Sequence, residues 1–458
     1  MLGLTIAGVV VLFTVALLVK GFYPPAVLFS AGLVLFAATA AFDFGTVLDA
    51  ARTTNFVGFD IFKVFTTGFS ERIAGLGLTL MAIGGFSRYM EYVGASSALF
   101  AVFEKPLKRI RSPYMLLGAA FLVSQVIVIF MPSHAGIALL LMVTVYPILI
   151  RSGVSKLSAL GVIGCGQFMD VGPGPGSAIL TAQLADVDVA EYFVYWQLPL
   201  FVGLTLILAV VHVVVQRWWD KREGWVYDPE AAKAALGGGK TEEKRAPKIY
   251  AVLPVIPLIL IICFSKVVGS AIKMDVATAM VIATWISGLF ELVRTRSLKK
   301  VLESFRVYFE GMGKILVGVV SLIICGEFFA AGLIKSGALA TIIAAAESAG
   351  AGLGVMVLFG GLIMISMAFI MGSGNAAFFS FAPLCPAIAS SVGAPVLHLL
   401  FPLQTLVSFG RVASPITAAI VAISVMAEVS PFQVAKRTAI PMAVAAVLSY
   451  GYFYLMLL

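Results

Sequence analysis

Apolar stretches of membrane-crossing length follow one another from residue 2 almost to residue 458, with mostly short polar loops between them. A helix needs about 20 consecutive apolar residues to cross the hydrocarbon core of a bilayer, and it must satisfy its backbone polar groups internally there. Full spans are expected over about 2–19, 24–42, 73–87, 156–184, 191–216, 249–267, 272–293, 311–326, 396–426 and 438–457. Composition agrees, with 61% hydrophobic and 12% charged residues and a mean hydropathy of +1.05, values foreign to a soluble globular domain. The prediction is an all-α polytopic membrane protein. Its first run, LGLTIAGVVVLFTVALLV, has no charged segment ahead of it and no small-residue cleavage site, so it reads as a retained span rather than a signal peptide.

Two apolar blocks, 113–150 and 351–391, are too long for one crossing, and each is broken at its centre, by PSHAG (132–136) and by GSGN (372–375). Each reads as a re-entrant helical hairpin, with a kinked single span as the alternative. Two spans are also interrupted, at GQFMDVGPGPGSAIL (166–180) and at QTLVSFGRVASPITA (404–418). Proline removes a backbone donor and clashes with the preceding turn, so the Gly-Pro-Gly-Pro-Gly run cannot stay helical. Non-helical backbone at membrane depth is tolerated where protein or a wet cavity satisfies it.

Charge placement orients the chain. With the N-terminus outside, Lys20, Lys105, Lys108, Arg109, Arg111, Arg151, Lys156, Arg294, Arg296, Lys299, Lys300, Lys436 and Arg437 share one face, which the positive-inside rule makes cytoplasmic. Asp43, Asp49, Asp60, Asp186, Asp188 and Glu191 gather on the other. Both termini are therefore expected outside. The net charge of +8 is an orientation signal and calls for no nucleic acid partner.

One composition break, 217–248, reads as a cytoplasmic linker with Gly237 to Gly239 at its flexible centre. It divides a first repeat, 1–216, from a second, 249–458. A single offset pairs Ala185 with Ala427, Ser133 with Asn375 and Pro173 with Pro415, and the first span starts outside while its partner at 249 starts inside. Inverted repeats place a transporter's substrate site near the bilayer midplane, where half-helix ends and unwound carbonyls face one another.

The candidate substrate residues are therefore Ser133, His134 and Gly136 at the first tip, Ser373, Gly374 and Asn375 at the second, and Ser408, Gly410, Arg411 and Ser414 at the second interrupted span. Arg411 reads as the only arginine in the central stretch of a span, a costly placement unless paired or solvated. Its planar fork suits a substrate carboxylate; an ion pair with Asp170 is the alternative. Asp170, Gly172, Gly174, Ser177 and Thr417 are candidates for a coupling ion. Asp170 is equally suited to hold a cation, carry a proton or neutralise Arg411, and His134 to titrate or to cap the turn. His212 and His398 lie near span ends and read as interfacial. Cys165, Cys263, Cys325 and Cys385 all sit in apolar stretches without metal-binding spacing and read as buried inert thiols, so no metal is expected beyond a coupling Na+.

The chain resembles the DcuC-type anaerobic carriers of four-carbon dicarboxylates, within the wider ion-transporter superfamily. The likeness is carried by GSGNAAFFSF (372–381), LQTLVSFGRVASPITAAIVAIS (403–424) and SPFQVAKRTAIP (430–441), supported by KPLKRIRSPYMLL (105–117) and TAQLADVDVAEYF (181–193). The resemblance implies exchange, efflux or uptake of succinate, fumarate or malate coupled to a Na+ or H+ gradient, without a cofactor. It also implies a bacterial inner-membrane homodimer whose transport domain moves as an elevator against a scaffold. On matching positions it points to Ser373, Asn375, Ser408, Gly410, Arg411 and Ser414. The first tip, PSHAG, and the unwound MDVGPGPG depart from the family pattern, which leaves a monocarboxylate, an amino acid or a longer diacid open as substrate.

Other classes find little support. The chain has no Walker A motif for a nucleotide-driven pump and no HExxH or GxSxG for an intramembrane hydrolase. An anion channel is the nearest competitor, since broken helices and a midplane arginine would serve it equally.

Overall fold

The computed structural model describes residues 2–48, 52–230, 246–272, 274–338, 341 and 352–457. Asp49, Gly237, Gly238 and Gly239 lie outside the described residues. The secondary structure is helical throughout, with no strand among the described residues. Helices α1 (Leu2–Val19) and α2 (Pro24–Ala41) open the chain, followed by the 36-residue α3 (Val57–Tyr92). Next come α4 (Ala95–Lys108), α5 (Pro113–Val128) and α6 (His134–Arg151). The first interrupted span is α7 (Lys156–Gly164) and α8 (Gly176–Leu184), and α9 (Val189–Arg222) closes this half.

The second half holds α10 (Lys248–Cys263), α11 (Val276–Thr295), the 38-residue α12 (Leu298–Lys335) and α13 (Leu353–Met371). Its second tip starts α14 (Gly374–Phe381), its interrupted span is α15 (Val396–Ala413) and α16 (Ala418–Met426), and α17 (Pro431–Leu457) ends the chain. Among the described residues nine helices, taking α15 and α16 as one, are long and apolar enough to cross a membrane.

Local chemistry sets the boundaries. Proline enters at the first turn of α2, α5 and α17, where its missing N–H costs nothing. Serine begins α6 and α7 and accepts the free amides of the first turn, Ser133 from Gly136 N and Ser155 from Ser158 N. The offset suggested by the sequence recurs in the backbone. Helices α8 and α16 are each nine residues long, and Asp186 and Glu428, two positions beyond them, both take φ of 53°. Both α3 and α12 carry a five-residue π segment, Ile73–Gly77 and Leu316–Val320. These segments touch, since a Cβ on Gly77 would lie 3.1 Å from Val320 Cγ1.

Packing gathers the elements around the interrupted spans. The first half of α12 lies along the second half of α3, its second half lies along α2, and α13 lies along α15. Helix α17 crosses both α9 and α15. Gly410 is the contact point of α15 with α13, where any side chain would run into the Ile365 carbonyl.

Several sequence expectations change. The span expected at 73–87 starts at Val57, because Asp60, Lys63, Glu71 and Arg72 lower local hydropathy without breaking the helix. For the same reason 311–326 becomes Leu298–Lys335, and α4 went unpredicted. At 19 residues, α13 is long enough to cross by itself, whereas a re-entrant hairpin is made of arms that each fall short of a crossing. Helix α9 continues through Arg222, into the segment expected as linker. His212 is fully buried against Phe121, with ring centroids 4.7 Å apart, and is not interfacial. Three cysteines are buried, but Cys263 is exposed. Arg411 is not the only arginine within a span: Arg72 lies mid-helix in α3, paired with Glu327 at 2.7 Å, and Arg437 is 1% exposed in α17. Arg437 meets Asp220 at 2.9 Å and Glu223 at 2.6 Å, joining the last helix to the end of α9.

Candidate functional site

The two interrupted spans cross at their breaks. Between α7 and α8 the chain unwinds through Gly-Pro-Gly-Pro, with Gly172 at φ 102°, a conformation that favours glycine. Unwinding frees carbonyls, and side chains from neighbouring helices take them up. His134 Nε2 lies 2.9 Å from Gly164 O. Gln125 Nε2 donates to Cys165 O and Gly166 O at 3.1 and 3.2 Å. Arg411 Nη2 reaches Gln167 O at 3.4 Å, and Gln197 and Gln404 both donate to Asp170 O, at 3.0 and 2.8 Å. Gln197 Oε1 in turn accepts from Gly172 N at 2.9 Å. The carbonyls so bonded, those of Gly164, Cys165, Gly166, Gln167 and Asp170, lie ahead of the Gly172–Gly174 backbone.

Asp170 is the hub. Its carboxylate meets Arg411 Nη2 at 2.9 Å through Oδ1 and Nη1 at 3.3 Å through Oδ2, a two-pronged pair. Gln167 Nε2 at 2.8 Å and Ser177 Oγ at 3.0 Å complete its shell. Both members of the pair are nearly enclosed, with side-chain exposures of 10% and 6%. Arg411 Nε, His134 Nδ1 and Gln167 Oε1 are buried and bonded to nothing among the described residues. Thr417 Oγ1 donates to Arg411 O, tying the second break to the same arginine. No group of three His, Cys, Asp or Glu side chains fit to hold a metal occurs among the described residues.

The two tips are built alike. Ser133 caps α6, and Ser373 caps α14 by accepting from Ala376 N at 3.2 Å. Gly372, at φ 64°, makes the turn into α14. Gly374 is already helical, so the need for a left-handed residue belongs to Gly372, where a Cβ would press on Ile416 at 2.8 Å. Gly374 instead lies flat on the Arg411 stem, its virtual Cβ 3.5 Å away.

Both tips reach one cavity of about 290 Å³ between α3 and α12. Ser133, Gly174 and Asn375 line it, facing Ser87, Arg88, Glu91 and Lys314. A larger cavity of about 620 Å³ shares Glu91 with it and runs on between Arg294, Lys300 and Arg306 and the carboxylates Glu291, Glu303 and Glu310. Of the sequence candidates, Ser133, Gly174 and Asn375 meet here, and Gly136 stands behind them, where an added Cβ would lie 3.0 Å from Glu91 Oε1. Asp170, Ser177 and Arg411 form the buried network, and Ser414 and Thr417 close the second break. Ser408 is buried and, among the described residues, bonded only to Gln404 O in its own helix, and Gly410 serves helix packing. Arg411 is not among the cavity-lining residues.

The sequence profile of the family described as "DcuC: C4-dicarboxylate anaerobic carrier" matches residues 2–458. The chain belongs to the DcuC family. Its relatives agree over almost their whole length. A Vibrio cholerae protein described as a probable anaerobic C4-dicarboxylate transporter DcuC is 31% identical over 443 residues, covering 96% of this chain and 95% of that one. The Escherichia coli K12 anaerobic C4-dicarboxylate transporter DcuC is 29% identical over 442 residues, covering 96% and 94%. Among solved structures, the Alcanivorax borkumensis YdaH transporter, described as having an unusual topology, superposes with a TM-score of 0.58 at 16% identity, covering 94% of this chain and 97% of that one. That likeness concerns the fold alone. DcuC-family proteins are membrane carriers, not enzymes, and this chain is a multi-pass member.

Gln167, Gln197, Gln404 and Tyr192, whose hydroxyl donates to Gln404 Oε1 at 3.0 Å, went unnamed in the sequence reading of this DcuC-family chain. A usable signal existed: an amide side chain inside an apolar span is costly unless bonded, so each such glutamine implies a polar partner at depth. Lys314, at the head of the apolar run 315–326, carried the same signal.

Proposed function

We propose that the chain is a cation-coupled secondary carrier of small C4-dicarboxylates such as succinate, fumarate and malate. The observation that carries this reading is the meeting of Ser133 and Asn375, from breaks 242 positions apart by number, in one cavity with basic side chains on its far wall. The names of the relatives support the substrate class. The halves act as inverted repeats, 1–216 and 249–458, joined by a cytoplasmic linker at 217–248, and the matched lengths of α8 and α16 and the paired π segments support that arrangement. The protein works as a homodimer in the bacterial inner membrane with both termini outside, and the tips travel with α7, α8, α15 and α16 as an elevator against a scaffold.

In this reading the Arg411–Asp170 pair binds the two unwound segments together, while Ser133, Ser373 and Asn375 present donors to the substrate. The two-pronged geometry and near-complete enclosure of the pair support the counter-ion role for Arg411 over the carboxylate clamp. A coupling ion is expected at the breaks, with Asp170, Gly172, Gly174, Ser177 and Thr417 as its candidates. The test is uptake by proteoliposomes of a panel of diacids under separate sodium and proton gradients. Trans-stimulated exchange of labelled succinate is expected; its absence alongside conductive flux would make the protein an anion channel.

A further inference from the structure

The polar groups of the inner cavity are unevenly satisfied. Glu91, its only carboxylate among the described residues, is engaged by Arg88, with Oε2 3.0 Å from Nη1. Lys314 has no carboxylate within ion-pair reach among the described residues, although nine other basic side chains form ion pairs there. The Asn375 amide and the Ser87 hydroxyl bond to no protein group among the described residues, and the Ser133 oxygen accepts from Gly136 N but donates to nothing. The free heads lining this cavity are thus a cation and neutral donors, with no free acceptor charge. Water aside, the chemistry that satisfies such a set is an anion with several acceptor oxygens.

Position adds to this. Lys314 is separated by one residue from the π segment Leu316–Val320 and stands where α12 turns from its charged half to its apolar half. A π segment inside an α-helix re-aims side chains and often marks a functional site. The cavity shares Glu91 with the larger one, whose lining mixes Arg294, Lys300 and Arg306 with Glu291, Glu303 and Glu310 and so has no net positive rim, whereas Lys314 stands on the inner wall without an ion pair among the described residues.

We propose that Lys314 is a specificity-determining residue: its ammonium pairs with one carboxylate of the substrate, while the Asn375 amide and the hydroxyls of Ser87 and Ser133 hold the other. The inference rests on the dicarboxylate reading above and assigns to Lys314 the charge recognition that the sequence assigned to Arg411. A point charge on a flexible stem suits an exchanging site better than a locked guanidinium fork, because it binds without demanding one orientation.

The test uses the full-length protein in proteoliposomes, with succinate and its monoamide as probes and wild type, Lys314→Gln and Lys314→Arg as variants. Loss of a charge-assisted bond predicts that Lys314→Gln raises the KM for succinate by about 10- to 100-fold. Wild type prefers succinate to the monoamide; in Lys314→Gln that preference collapses, because the lost cation can no longer distinguish one carboxylate from two. Lys314→Arg keeps most of it. Detergent melting temperatures of the three proteins should agree, since Lys314 supports no other side chain. An unchanged KM, or an equal loss for both probes, overturns the assignment. If wild type takes up no C4-dicarboxylate at all, it is the dicarboxylate reading that falls.

Discussion

Removing either member of the Arg411–Asp170 pair should damage the protein more than removing both. In Arg411→Ala, the Asp170 carboxylate keeps only Gln167 and Ser177 as side-chain donors in a site with 6% exposure. Breaking a buried pair from one side costs about 3–5 kcal/mol, because the remaining charge stays desolvated. In Asp170→Ala the guanidinium is left with Gln167 O at 3.4 Å, and the cost is of the same order. Asp170→Ala with Arg411→Met removes both charges while keeping some of the arginine stem against Gly374, and it should recover most of the loss. The expected coupling is about 2–3 kcal/mol. The assay is thermal unfolding in detergent for wild type, both singles and the double, with succinate affinity measured on each. Arg411→Lys keeps the charge and one bond, and should fall between wild type and alanine. Additive losses in the double, or a melting temperature unmoved by Arg411→Ala while succinate binding vanishes, would refute the counter-ion role and return Arg411 to the substrate.

Gly372→Ala should impair transport more than Gly374→Ala, because Gly372 sits at φ 64° against Ile416 while the Gly374 position leaves ordinary contact distances; uptake by the two variants at matched expression checks the order. Arg437→Ala should destabilise by about 3–5 kcal/mol, since it strands Asp220 at 1% exposure; melting in detergent reads it, and an unchanged midpoint would contradict the burial argument. His212→Phe should stabilise by about 1 kcal/mol, because both ring nitrogens are buried beside Phe121 without partners among the described residues; a lower midpoint would mean that a nitrogen is engaged after all.

Helix existence was legible wherever apolar length was unbroken, and the sites of breakage were legible wherever proline and glycine forbade a helix, at 172–176 and 372–374. Boundaries failed where charge and helix coincide. Asp60 lowers the local hydropathy, yet its carboxylate accepts from the Thr53 and Thr54 hydroxyls and the Thr54 amide and sits in the first turn of α3. Hydropathy sees the charge and not the bonds that satisfy it. Pairings across the halves failed for a related reason. A sequence shows that Gln197, Gln404 and Asp170 are expensive at depth, but which of them meet is decided by the angle at which α9 and α15 cross the first break. Arg411 illustrates the point: its planar fork suits a substrate carboxylate, with Asp170 as the alternative, and it is the 2.9 Å approach of Asp170 that the sequence does not reveal.

Charge balance follows from where those distances fall. The Arg411–Asp170 pair is neutral as a unit, and so is Arg88–Glu91, which leaves Lys314 as the one uncompensated charge lining the cavity among the described residues. A dianion seated there leaves the filled site at minus one. Moving an unneutralised charge through low-dielectric surroundings costs several kcal/mol even after relaxation, so the loaded site should not cross readily until a further cation joins it. Each succinate should therefore bring in at least one proton or sodium ion, and two if Lys314 stays behind with the scaffold. The ratio can be read from the membrane potential at which net succinate flux reverses in proteoliposomes with fixed substrate and cation gradients. Flux that responds to potential as two uncompensated negative charges, with no dependence on either cation, would mean that substrate crosses by a route other than this cavity.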